Sequence, residues 1–268
     1  MNNENSSSQE MSFWEHLEVL RGVLWRIAII VAIIAIILFL CMHWIFDSII
    51  LAPCHGDFPL YKLFDLILAH TVGGDSASSQ FSVSLINIKL ASQFYLHIST
   101  SCWLAITLAF PFIMHQIWQF ISPALYEHEK RSTRAAFVFG NIMFYLGVAV
   151  GYFLVFPLML RFLADYQLSP DIPNTISIDS YMDNFFIITL LMGIVFELPL
   201  LAWLLGKIGF LTRNFFSIYR RHAIVILLII AAMITPTGDP FTLAAVFFPI
   251  YFLWELSSRL VPKAKTLS

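Results

Sequence analysis

Long apolar blocks, separated by short polar segments, pattern this chain. The first block covers residues 23–46 and contains "IAIIVAIIAIILFL", which has no polar position on any helical face. It shows neither the alternation of a half-buried strand nor the stripe of a surface helix. An unbroken apolar run of about 20 residues is the length that crosses a bilayer as a helix. Further blocks cover residues 93–113 (with apolar character continuing to Ile121), 135–160, 185–206, 223–235 and 241–256. The pattern therefore predicts six spans. The last two are short: 13 residues of helix reach only ~20 Å, against a hydrocarbon core of ~30 Å. Such a pair thins the bilayer or is shielded by neighbouring helices. Continuous rather than alternating runs exclude a closed β-barrel. Phe-Pro pairs at Phe110-Pro111, Phe156-Pro157 and Phe248-Pro249 kink their helices. The expected fold is all-α: a polytopic membrane protein, one domain over residues 1–268, with six transmembrane helices in a curved, concave bundle.

The polar segments set the orientation. Twelve of the 15 basic residues fall in residues 21–26, 130–134, 207–221 and 259–265, and only Lys62, Lys89 and Arg161 fall on the other side. The excess of Lys and Arg marks the cytoplasmic side, so both termini are expected there: residues 1–22 as an N-terminal helix and 259–268 as a tail. The N-terminus has no basic region and does not read as a cleaved signal peptide. Residues 47–90 form the large outer loop. Within it Leu60, Leu63, Phe64, Ile67 and Leu68 repeat at helical spacing, with Lys62 and Asp65 opposite, which predicts an amphipathic helix at the outer surface. "HTVGGDSASSQ" after it reads as a turn region, and "TPTGDP" as a tight outer turn. Ser122-Pro123 reads as a helix start.

Composition agrees with a bilayer. The chain has 268 residues, 59% hydrophobic and 12% charged, with mean hydropathy +0.80; soluble domains are far more polar. A net charge of -2 gives no basic footprint for nucleic acid. Three cysteines, Cys41, Cys54 and Cys102, supply neither a disulfide framework nor a metal pattern. "HEKRS" begins like a zinc-protease motif but lacks its second histidine, and no nucleophile elbow or phosphate loop occurs. Neither enzyme chemistry nor a cofactor is expected.

The candidate chemistry lies in a few carboxylates. Glu197, in "GIVFELPL", stands in an otherwise uncharged span, with Pro199 two residues on. A lipid-facing carboxylate costs a few kcal/mol, so it faces protein, water or a partner. A coupling-ion site in a broken transporter helix is one reading, although the chain lacks two corresponding halves. A group protonated or hydrogen-bonded within the bundle is another. In "FWEHLEVLRGVL", Glu15, Glu18 and Arg21 are three apart and share a helix face. Glu129 opens the third span. These charges are either topology signals at helix ends or a surface for a basic peptide.

The order of motifs resembles the TatC family, the multispanning receptor subunits of the twin-arginine protein translocase. The matching segments are "EHL" and "LR" before the first span, "APC" with Pro53, "FPFIMHQIWQFISPALYEHEKR", "FYLGVAVGYFLVFPL", "FELP" and "MITPTGDPF". The resemblance implies a non-catalytic receptor of the bacterial cytoplasmic membrane, recognising an S-R-R-x-F-L-K-like signal on folded cargo. It implies signal contacts at Glu129, Glu18, Glu15, Arg21, Pro123 and Tyr126. The family pattern "HLxELR" has a glutamate where this chain has Val19, so Glu18 or Glu15 replaces it. Intramembrane partner contacts are implied at Glu197, Gln116, Met233, Thr235 and Asp239, and structural roles for Pro53, Pro111 and Pro199. The implied partners are TatA- and TatB-type single-span proteins, twin-arginine signal peptides, the lipid bilayer and further copies of the receptor. The proton-motive force drives the process without nucleotide or metal.

Overall fold

The computed structural model describes residues 13–63, 66, 81–122, 127–167, 169, 171, 174–235 and 239–261, with side chains for all of these except 13–16, 127–132 and 208. Helix α1 (Phe13–Ile45) joins the predicted N-terminal helix to the first span without a break. Nothing between them, neither Pro nor Gly-rich turn, interrupts the backbone hydrogen bonds. Trp25, Ile29, Ile33, Ile36 and Leu40 are exposed along it, apolar side chains that acyl chains cover. Its C-terminal end widens into a π-turn (Phe46–Ile50) and tightens into a 3-10 turn (Ala52–Cys54) carrying Pro53.

Those irregular turns free backbone carbonyls, and tyrosines from distant segments take them. The Tyr152 hydroxyl donates to Ile49 O at 2.7 Å and that of Tyr181 to Ile50 O at 2.5 Å. Tyr61 donates to Pro53 O at 3.0 Å and to Pro157 O at 3.2 Å. A carbonyl left bare in hydrocarbon costs free energy, so each bond fixes a turn that the helix ladder does not. Burial pushes the Tyr61 phenol well above its ordinary pKa, so it stays a donor.

Residues 59–63 and 66 are helical in the loop after α1. Its inward face differs from the predicted one. Phe58, Leu60 and Tyr61 are buried against Ala52, Phe81, Tyr152 and Leu158, while Leu63 is exposed. Lys62 points away and pairs with Asp57 at 3.2 Å. Phe64, Asp65, Ile67, Leu68 and the turn region of residues 70–80 lie outside the described residues.

The chain returns through α2 (Ser92–Ile121), packed on α1; His97 stacks on Phe39 and its Nε2 lies 2.9 Å from Phe39 O. Pro111 sits inside α2 and, lacking an N–H, leaves the carbonyl four residues earlier unpaired. Tyr145 of the next helix supplies the donor, 3.2 Å from Thr107 O and 3.4 Å from Leu108 O. Tyr145→Phe is expected to destabilise the protein by about 1 kcal/mol. The loss should shrink in a Pro111→Ala background, where an alanine restores the ladder donor. Chemical unfolding of the four variants in detergent measures this cycle; equal losses in both backgrounds would detach Tyr145 from the proline.

Helix α3 (Glu127–Val150) runs through a second π-turn (Gly151–Val155) into α4 (Phe156–Asp165). Ser122 closes α2 with helical backbone angles; the expected helix start at Ser122-Pro123 runs into Pro123 to Tyr126, which lie outside the described residues, and the next described helix is Glu127–Val150. A two-residue parallel pairing of β1 (Leu85–Ile86) with β2 (Ile176–Ser177) ties the two outer segments together. Asp179 anchors the same end, accepting from Ser92 Oγ and pairing with Lys89 at 3.6 Å.

Helix α5 (Ile178–Val195) starts behind an Ser177 cap. It packs so closely on α3 that a Cβ on Gly147 would stand 2.5 Å from Met192 O, a contact only glycine permits. The helix then breaks at Phe196-Glu197, and α6 (Leu198–Ile208) follows with Pro199 in its first turn. Pro199 cannot donate to the carbonyl of Val195, so the ladder ends where the proline dictates. Short α7 (Arg213–Ile218), α8 (Arg220–Ile234) and α9 (Pro240–Leu260) complete the chain.

Among the described residues five stretches are long and apolar enough to cross a membrane: Leu17–Cys54, Ser92–Ile121, Thr133–Asp165, Ile178–Lys207 and Pro240–Leu260. The 15 residues of α8 reach only ~22 Å. The main core gathers Phe156, Met159, Tyr181, Phe185, Ile188, Met192, Val246 and Ile250, with contributions from α1 and α8.

Candidate functional site

One set of candidate residues collects where α1 begins, α2 ends, α3 begins and α6 and α9 end. Glu18 and Arg21 lie on exposed turns of α1 and pair at 3.5 Å, with side chains 76% and 72% exposed. So exposed a pair contributes at most about 1 kcal/mol, and an incoming guanidinium can displace Arg21 at little cost. Val19 is exposed beside it. Glu129 lies in the opening turn of α3, where the helix dipole favours a carboxylate. Its side chain, and that of Glu15, are outside the described residues, as are Pro123 and Tyr126. The Lys207 ammonium bonds Thr133 Oγ1 at 2.9 Å and lies 5.2 Å from the centre of the Trp203 ring. It locks the end of α6 onto the start of α3. Arg220 opens α8 and reaches Glu255 of α9 at 2.6 Å, with the Tyr251 hydroxyl between them.

A second set lies within the bundle. Glu197 is 8% exposed at the break between α5 and α6. Neither carboxyl oxygen has a hydrogen-bonding partner among the described residues. Its Oε2 rests on the bare backbone of Gly140 in α3: a Cβ there would come within 2.9 Å of it and 2.6 Å of Leu200 Cδ2. Gly140 is a site residue that reading for charged groups misses. The signal was present as glycines at 140, 147 and 151 along one span, a small-residue pattern of close helix approach. Gln116 is also buried, with its Oε1 unpartnered. These groups hold their place at the expense of desolvation.

At the opposite end, Met233 is 79% exposed whereas Thr235 is buried and bonds back to Ala231 O at 3.0 Å. The Asp239 carboxylate accepts from Thr242 N at 2.7 Å and caps α9. Of these three, only Met233 offers a large apolar surface. Pro53 is buried within the tyrosine-bound turn, Pro111 lies inside α2 and Pro199 sits in the first turn after the break at Glu197.

Fold and site together define a polytopic helical membrane protein whose polar chemistry sits at helix ends and at one helix break. Residues 15–249 match the family model described as Sec-independent protein translocase protein (TatC). The chain is 33% identical over 259 residues to the Sec-independent protein translocase protein TatC of Blattabacterium sp. subsp. Periplaneta americana, covering 96% of each. It is 37% identical over 174 residues to that of Deinococcus radiodurans, covering 65% of this chain and 64% of the relative. Two crystal structures described as the twin arginine translocase receptor TatC superpose with TM-scores of 0.67 and 0.70 at 28% identity. They cover 92% of this chain and 97% and 100% of theirs. The chain belongs to the TatC family. It is a multi-pass protein of the bacterial cytoplasmic membrane and a translocase component, not an enzyme.

Proposed function

We propose that this chain is the subunit that binds twin-arginine signal peptides of folded precursors and gathers TatA- and TatB-type single-span partners around itself. Membership of the TatC family carries this reading, together with the segment "PALYEHEKR", whose Glu129 lies in the first turn of α3. In this reading both termini are cytoplasmic, α8 is a sixth, short span, and the proton-motive force drives passage. The arginine pair docks where α1 and α3 begin. Carboxylates there take guanidinium in a forked, charge-assisted geometry that an ammonium cannot copy. Glu18, exposed and one turn from Arg21, and Glu15 of the same helix stand in for the glutamate that Val19 displaces; Arg21, Pro123 and Tyr126 complete the surface. The apolar part of the signal then lies along the concave side of the bundle. Glu197 and Gln116 meet a polar group of a partner's membrane helix, and the Met233 edge, with Thr235 and Asp239 behind it, receives a second. Several copies of the receptor assemble.

The test is binding of a twin-arginine peptide to the purified chain in nanodiscs, with a twin-lysine peptide as control. Tighter binding of the arginine form by tenfold or more is expected. Equal affinity for the two would contradict the proposal.

A further inference from the structure

At the end of α1 farthest from Arg21, its last turn and the π-turn that follows pack on the start of α2 and leave a cavity of about 460 Å³. That lies within the roughly 300–1,000 Å³ of small-molecule sites. Met42, Phe46 and Leu96 give it apolar walls, and His43, Asp47, Gln93 and His97 give it polar groups. Trp44 and Tyr95 are exposed on the two helices that form it. Exposed Trp and Tyr at the end of a span mark the depth where lipid head groups meet water. One turn back along α1, Leu40 is exposed as well, and so is Phe94 at the rim. The cavity thus joins an acyl-chain surface to a polar lining at head-group depth.

The polar groups are little used by the fold. His43 Nε2 and Asp47 Oδ2 stand 3.9 Å apart with side chains 100% and 63% exposed, farther than a hydrogen bond reaches. The Gln93 side chain is exposed and makes no hydrogen bond among the described residues. His97 Nε2 lies 2.9 Å from Phe39 O. A carbonyl only accepts, so Nε2 carries the hydrogen and Nδ1 of the neutral ring is left as an acceptor. Asp179, next to Ile178 of the lining, is matched by Lys89 at 3.6 Å. Asp47 therefore leaves the lining with an unmatched negative charge. An anionic head group alone finds no fixed cation there. A quaternary ammonium has no N–H to give a carboxylate. A primary ammonium has three, and a phosphate beside it can accept from imidazole and carboxamide N–H groups. We propose that this cavity holds the head group of a phospholipid bearing a primary ammonium, with the ammonium on Asp47 and His97 and the phosphate on His43 and Gln93. The bound head group ties the π-turn to the first turns of α2.

The experiment uses the full chain, purified in detergent and stripped of lipid. It is titrated with phosphatidylethanolamine, phosphatidylcholine and phosphatidylglycerol of the same acyl chains, and read by native mass spectrometry and melting temperature. The ethanolamine lipid should bind about tenfold more tightly than the others, the lower end of the worth of a charge-assisted hydrogen bond, and should raise Tm the most. Asp47→Asn should bring the ethanolamine and choline lipids within about twofold of each other. His43→Ala should weaken both alike, through the phosphate they share. Both side chains are exposed, so the variants should fold and should bind a twin-arginine peptide as wild type does. Equal binding of the three lipids by wild type, or an ethanolamine preference that survives Asp47→Asn, overturns the proposal. Glycerophosphoethanolamine, the head group without acyl chains, should compete poorly; competition at equal concentration would overturn the lipid in favour of a soluble amine phosphate. A benzophenone at position 94 in native membranes should crosslink to lipid. Crosslinks to polypeptide alone would give the cavity to a partner helix and overturn the assignment.

Discussion

Glu129→Gln lowers the affinity of a twin-arginine peptide by about 10- to 150-fold, the worth of a charge-assisted hydrogen bond of about 1.5–3 kcal/mol. Glu129→Ala should lose as much, because the amide keeps the shape but not the charge. The site is partly wet, and Lys130 and Arg131 beside it are screened but not silent. A twin-lysine peptide, which never made the forked contact, should lose much less than the arginine form. Titration of both peptides against wild type and Glu129→Gln separates the possibilities. Equal proportional losses would reduce Glu129 to general surface charge, and no loss for either would remove it from the site.

The second large effect concerns Glu197. Its two carboxyl oxygens are buried without partners against Gly140, so the resting fold gains little from the carboxyl group and bears its desolvation. Glu197→Ala should therefore leave thermal stability unchanged or slightly raised, an uncommon result for a buried position. If a partner helix supplies the missing hydrogen bond, transport should fall at least tenfold on the same bond energies. Peptide binding at the first turns of α1 and α3 should stay within about twofold. The checks are transport into inverted membrane vesicles, peptide affinity and melting temperature, run on one set of variants. A large drop in stability that tracks the transport loss would make Glu197 a structural group.

The parts of this molecule that depend on local pattern were legible. The unbroken run in α1 and the break beside Pro199 follow from residues within one or two turns of each feature. The tyrosine bonds were not legible: Tyr61, Tyr152 and Tyr181 reach carbonyls 96, 103 and 131 residues away in sequence. No spacing rule anticipates which hydroxyl will find which freed carbonyl. The same holds for the parallel strand pair, set by two outer segments about 90 residues apart whose short extended stretches carry little strand character of their own. The helix after Pro53 was foreseen, but its inward face turned to Leu60 and Tyr61, because Phe58 packs on Tyr152 of the second π-turn and Tyr61 on Phe81, rings that the local spacing does not contain. In the site, charged residues drew attention by their rarity in an apolar chain. Gly140, which makes room for Glu197, did not, since its importance comes only from what it faces.

The most direct measurement places a photocrosslinking residue at position 129, in the full chain in native membranes, and presents a precursor with an intact twin-arginine signal. A crosslink to the residues around the arginine pair is expected, lost when the pair becomes lysine and retained when Glu197 is replaced by alanine. Crosslinking that is indifferent to the arginine pair, or absent while the precursor is still transported, would contradict recognition of the signal at the first turn of α3.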